Sequence, residues 1–249
     1  MKRQLRRPLH LPTGTVPVVS RAELGESPLL PVAAVVTAAG LYATLPGSFI
    51  AGASSGVFAA ARLVVPILTL LLLAPLALSV PTPRALATLS HHTGALRLSR
   101  RIASLAVIAV ISLANAAAII LLVHSIVAGD KAHARLLLRA AIHMWCTNVL
   151  VFGLWFWQLD GGGPLARRLE PRHSHDFVFP QHLTPEFAPA GWQPEFLDYL
   201  YLSFTNATAF SPTDTMPFSR WAKLLMILES VASLLLAIMV AARAVNILQ

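Results

Sequence analysis

Apolar residues run along this chain in long blocks, and the polar ones gather between them. The blocks 62–80 (RLVVPILTLLLLAPLALSV) and 102–127 (IASLAVIAVISLANAAAIILLVHSIV) are apolar nearly all round, the pattern of a helix immersed in lipid and not of an amphipathic surface helix. About 20 residues at a rise of about 1.5 Å cross the hydrocarbon core of a bilayer. Two further blocks are long enough, 135–157 and 219–247. The first of these closes on Trp155, Phe156 and Trp157, which have the character of an interfacial anchor. A fifth block, 30–51, is weaker because Gly40, Pro46 and Gly47 interrupt it. The expectation is an all-α integral membrane bundle of five transmembrane helices.

Polar residues dominate one long stretch, 158–193, which carries Gly161, Gly162, Gly163, several prolines and several histidines. It reads as an irregular connecting loop, with GGGP as a flexible turn that has no helix signature behind it. At 194–208 the pattern changes again. Pro194 suits a first helical position, Glu195 and Asp198 suit the first turns, and Phe196, Leu197, Leu200, Tyr201 and Phe204 form an apolar face. Such a helix is too short to span, so it should be re-entrant or interfacial. The chain thus divides into a basic tail (1–29), a four-span region (30–157), the polar loop (158–193), and a short helix followed by the last span (194–249).

Composition agrees with the pattern. Hydrophobic residues make up 56% of the chain and charged ones 12%, with a mean hydropathy of +0.67. No acidic residue occurs between 27 and 129. The net charge of +8 then reflects Lys and Arg beside anionic lipid, and nucleic acid is not an expected partner. Cys146, the single cysteine, excludes an intrachain disulfide. Basic residues cluster in the tail (Lys2, Arg3, Arg6, Arg7, Arg21), at Arg84, Arg97, Arg100 and Arg101, and at Arg167, Arg168 and Arg172. Five crossings put all three clusters on one side, which the positive-inside rule makes cytoplasmic, in a multi-pass inner-membrane protein with a cytoplasmic N-terminus. If block 30–51 does not cross, segment 158–218 faces outward instead.

The stretch YLSFTNATAFSPTDTMP, 201–217, resembles the pore helix, filter and post-filter segment of the potassium-channel superfamily. Tyr201, Ser203, Thr205, Thr208, Asp214 and Pro217 fall in register with that pattern, and Glu229 in the following span matches a glutamate near the start of the inner helix. The resemblance covers 195–249 and makes 135–157 the outer helix. The filter positions depart from the family, with Ala209, Phe210, Ser211, Pro212 and Thr213 where it has T-V-G-Y-G, so that Ser211 and Thr213 replace its glycines. Those glycines let successive carbonyls face the ion, whereas Pro212 fixes φ and removes a donor. The layout as a whole resembles a family of uncharacterised bacterial membrane proteins known as a domain of unknown function, through DFVFP at 176–180 and Asp198, Tyr199, Tyr201, Ser203, Phe204 and Thr205.

What the resemblance implies is a channel-like protein with a degenerate pore loop, passing monovalent cations with little selectivity and assembling as a homotetramer in the bilayer. Thr208, Ala209, Phe210, Ser211, Pro212, Thr213 and Asp214 form the loop. The alternative is a non-conducting structural or partner-binding protein that uses 194–218 as a docking surface. Intramembrane polar residues Asn115, His124, His143, Asn148 and Glu229 either line an ion or proton path or join helices by hydrogen bonds. His173, His175, Asp176 and His182 are metal-ligand types without a spacing that fixes a ligand set. No phosphate-binding glycine loop, Ser-His-Asp order or HExxH appears, so neither a catalytic residue nor a cofactor is assigned.

Overall fold

The computed structural model describes residues 29–45, 66–67, 94–127, 134–169, 175–208 and 214–247. Helices dominate them: α1 (Leu29–Ala43), α2 (Gly94–Val127), α3 (Ala134–Leu159), the short α4 (Pro164–Leu169) and α5 (Pro180–Leu183), α6 (Phe196–Thr208) and α7 (Arg220–Ile247). Three stretches, Arg101–His124, Leu136–Gly162 and Arg220–Ala242, are long and apolar enough to cross a membrane, as expected of a membrane protein. Helix α1 has 15 residues, about 22 Å at the helical rise, which falls short of a crossing. The rest of block 30–51 beyond Leu45, and block 62–80 apart from Pro66 and Ile67, lie outside the described residues.

Helix α3 is central, with α1, α2, α6 and α7 all packed against it. Half of its membrane-length window is buried, against 17% in α7, so α7 lies at the margin. Its outward Leu224, Ile227, Leu228, Val231, Leu234 and Ile238 are exposed, a surface suited to lipid. Helices α2 and α3 run antiparallel. The Gln158 amide donates to Ser104 Oγ (2.6 Å) and the Trp155 indole N–H to Ser112 Oγ (2.8 Å), which joins the end of one helix to the start of the other. Helix α7 is antiparallel to α3 as well, because Leu236 clusters with Leu137 and Met144 near the start of α3.

Helix α6 begins beside the C-terminal end of α3, where the Phe196 ring meets Trp157 edge-on at 6.0 Å. It ends beside Met226 and Glu229 of α7, which bond Asn206. Glu229 lies nine residues beyond Arg220, about 13 Å along α7. The helix therefore enters at one end of the bundle and stops partway along it. Gly153 permits the approach to α3, since a Cβ there would come within 3.2 Å of the Leu200 Cα.

After α6 the chain comes back to where the helix started. Strand β2 (Met216–Pro217) pairs antiparallel with β1 (Phe177–Val178), Phe177 opposite Pro217 and Val178 opposite Met216. The Phe218 N–H donates to the Asp176 carbonyl (2.8 Å).

Segment 158–193 is not the irregular loop that its polarity suggests. It holds a 3-10 turn (Asp160–Gly162), α4, β1, α5 and a second 3-10 turn (Pro185–Phe187). GGGP forms a defined turn with a helix directly behind it, contrary to expectation. Gly161, Gly162 and Gly163 all take positive φ (55°, 81° and 102°), a region that glycine reaches without a Cβ penalty. The turn is held by Gly163 N–H to Asp160 O (2.9 Å) and Arg167 N–H to Gly163 O (3.0 Å).

Candidate functional site

Two buried polar layers hold α6 in place. The first lies at the C-terminal end of α3, where Asp160 has no exposed surface. One carboxylate oxygen of Asp160 accepts the backbone N–H groups of Asp176 (2.7 Å) and Phe177 (3.2 Å), and the other accepts the Tyr199 hydroxyl (2.5 Å). A single side chain thus organises the start of β1 and the first turn of α6. Asp176 answers in the other direction, taking the Gly161 N–H (3.1 Å) and the Trp221 indole N–H (3.0 Å). Asp160 thus binds the backbone of Asp176 and Asp176 that of Gly161, and through Tyr199 and Trp221 the pair holds the starts of α6 and α7.

Arg167, only 6% exposed, donates to the carbonyls of Trp157 (2.8 Å) and Asp160 (2.7 Å). These lie at the end of α3, where helix carbonyls lack intrahelical donors. Its guanidinium also lies 5.0 Å from the centre of the Tyr199 ring, a cation–π contact. Phe177 and Phe179 meet Tyr199 edge-on at 6.4 and 5.2 Å, while Trp221 and Phe156 meet Phe177 at 5.8 and 5.0 Å. The carboxylates therefore lie behind an aromatic wall.

At the rim of this layer the His175 and His182 rings stack at 4.4 Å. His182 Nδ1 accepts the Phe179 N–H (3.1 Å), which requires that nitrogen to be unprotonated. Burial lowers the His182 pKa from its usual 6.5, and neighbouring His175 lowers it further while Asp160 acts in the opposite sense.

The second layer lies midway along α7. Glu229 has no exposed surface. One carboxyl oxygen is hydrogen-bonded to Ser203 Oγ, and the other accepts the Asn206 amide (2.7 Å). Ser203 Oγ also lies 2.7 Å from the Val149 carbonyl of α3. Asn148 donates to Ser233 Oγ (3.0 Å), and Ser230 donates to Asn206 Oδ1 (3.1 Å). Residues from α3, α6 and α7 meet here, and the hydroxyls and amides satisfy one another as a helix–helix network.

The residues singled out from the sequence divide accordingly. Asn148 and Glu229 enter the second layer. Asn115 is buried in α2, and His124 is exposed at the far end of the same helix. His143 is half-buried on α3, its Nδ1 without a hydrogen-bond partner among the described residues. Thr208 closes α6 by donating to the Thr205 carbonyl (3.0 Å), and Asp214 is exposed. Ala209, Phe210, Ser211, Pro212 and Thr213, together with His173, lie outside the described residues. His175, Asp176 and His182 do not form a ligand set: among the described residues no group of three or more His, Cys, Asp or Glu side chains converges on a metal position.

Asp160, Arg167, Asn206 and Trp221 were not recognisable as site residues from pattern alone. The one available signal was an aspartate placed between the end of a span and three consecutive glycines. No protein-family model matches the chain, and comparison with curated proteins and with solved structures finds no similar protein.

Proposed function

We propose that this is a channel-like membrane protein in which 194–218 is a re-entrant hairpin carrying a degenerate pore loop. The observation that carries the reading is the path of one segment. Helix α6 leaves the Asp160 layer, stops beside Glu229, and by β2 the chain is again beside β1 and Asp176. A short helix that enters between α3 and α7 and returns on the same side is what the potassium-channel resemblance implies for outer helix, pore helix and inner helix. The residues between α6 and Asp214, 209–213, contain no glycine. They therefore lack the backbone freedom of a potassium-selective carbonyl cage, and conduction by this route is of monovalent cations with little selectivity. Asp214 supplies a carboxylate at the mouth. Four copies around a common axis complete the pore, and the exposed apolar surface of α7 faces lipid or neighbouring copies.

On this reading block 30–51 as a whole makes the crossing that α1 alone is too short to make, giving five crossings in the cell's inner membrane with the basic clusters and the N-terminus in the cytoplasm. The test is cation flux from liposomes holding the purified full chain. Flux above that of empty liposomes, reduced several-fold by Asp214→Asn, supports the proposal, and flux that is absent or indifferent to that substitution contradicts it. One feature favours a second reading: Tyr199, Ser203 and Asn206 are satisfied within their own bundle. A non-conducting, structural or partner-binding protein has the same need for such a seat, and it gives no flux.

A further inference from the structure

We infer that the Glu229 carboxyl is a proton-binding site within the membrane, and that the proton it holds fastens α6 to α7. Ser203 Oγ is in hydrogen-bond contact with two oxygens, the Val149 carbonyl and a Glu229 carboxyl oxygen. Each of these close O···O contacts needs a hydrogen, because bare oxygens repel. A serine hydroxyl supplies one, a carbonyl supplies none, and an ionised carboxylate supplies none. The second hydrogen must come from Glu229. The chain of bonds is then Glu229 O–H to Ser203 Oγ, and Ser203 O–H to the Val149 carbonyl.

The surroundings agree. From α6 the groups facing the carboxyl are Ser203 and Asn206, and no charged side chain among the described residues hydrogen-bonds to it. From α3, Asn148 lies 3.5 Å from the Glu229 backbone carbonyl, and the titratable His143 and Cys146 make no hydrogen bond to the carboxyl. An ionised carboxylate here would be buried without a cation, at a cost a neutral acid avoids. Asn206 completes the site by donating to the other carboxyl oxygen. Removing the proton leaves two acceptors facing across Ser203 and a charge in an apolar bundle. Once that contact opens, α6 keeps Tyr199 on Asp160 and Asn206 on Met226 and Ser230, and loses the link from Ser203 to α7.

This goes beyond the channel reading and does not need it. The test is infrared spectroscopy of the full chain in lipid vesicles. A protonated-carboxyl C=O band is expected at neutral pH, lost in Glu229→Gln and kept in the control Glu195→Gln. Ser203→Ala removes the acceptor of that hydrogen while keeping the carboxyl, so it should shift the band without abolishing it. Wild-type and E229Q spectra that coincide in this region overturn the proposal, and so does a band that S203A leaves in place. Fastening is read separately, from thiol labelling of a Thr208→Cys variant in a Cys146→Ser background. The thiol itself reacts faster as pH rises, so each rate is divided by that of an exposed Glu195→Cys control; the ratio should rise several-fold at alkaline pH with Glu229 present and stay constant with E229Q, whose amide donates in place of the acid. A ratio that follows the same course in the Glu229 and E229Q proteins overturns it. Loss of the band with flux intact sinks the proton site alone, and loss of flux with the band intact sinks the channel reading alone.

Discussion

Tyr199 and Asp160 show how much one buried contact carries here. The tyrosyl hydroxyl is the donor to one oxygen of a carboxylate that has no exposed surface. Tyr199→Phe keeps the ring against Phe177, Phe179 and Arg167 and removes only that donor. Leaving a buried acceptor short of a partner costs about 1–3 kcal/mol, and thermal unfolding in detergent, followed by tryptophan fluorescence, should show a loss of that size. His182 gives a second prediction at this scale. Its folded pKa is depressed below the usual 6.5, first by burial and then by His175. The unfolded chain therefore takes up the proton first as pH falls. The stability this ring contributes is fully present above about pH 6.5 and is lost as pH falls through the folded value. Unfolding temperatures measured from neutral to mildly acidic pH should decline, and His182→Gln should flatten that decline. A profile that the substitution leaves unchanged contradicts the assignment.

At the scale of elements, α6 depends on a glycine in its neighbour. A Cβ at Gly153 would meet Leu200 Cα at 3.2 Å and Leu200 Cδ1 at 3.4 Å, and backbone cannot give way as a flexible side-chain end can. Gly153→Ala should therefore cost about 1–3 kcal/mol through overpacking, and Gly153→Leu should displace α6 altogether. Thermal unfolding checks the first, and increased thiol labelling at position 208 checks the second. The helices themselves were legible in the sequence because their signal is local: blocks 135–157 and 219–247 correspond to Ala134–Leu159 and Arg220–Ile247, and the expected short helix at 194–208 to Phe196–Thr208. The order within 158–193 was not, because it rests on pairings remote in sequence. Asp160 finds Tyr199, 39 residues on, and Asp176 finds Trp221, 45 residues on. Two-residue strands and a six-residue helix leave no periodicity to read. Glu229 could be flagged as a costly residue in a span, but its partners Ser203 and Asn206 emerge only once α6 is laid beside α7.

For the whole molecule, the account rests on one claim, that the segment between α3 and α7 enters the membrane and leaves on the side from which it came. The two polar layers give that claim its physical basis. Asp160 and Asp176 gather both limbs of the hairpin at one end of the bundle, and Glu229 receives the tip of α6 within it. The most direct measurement places single cysteines at Glu195 and Asp214, on either side of the excursion, in a Cys146→Ser background. Each is labelled in sealed, oriented vesicles with a membrane-impermeant thiol reagent, before and after permeabilisation. The account predicts that both positions react from the same side of the membrane. Reaction from opposite sides would mean that 196–213 crosses completely, and the re-entrant hairpin would be wrong.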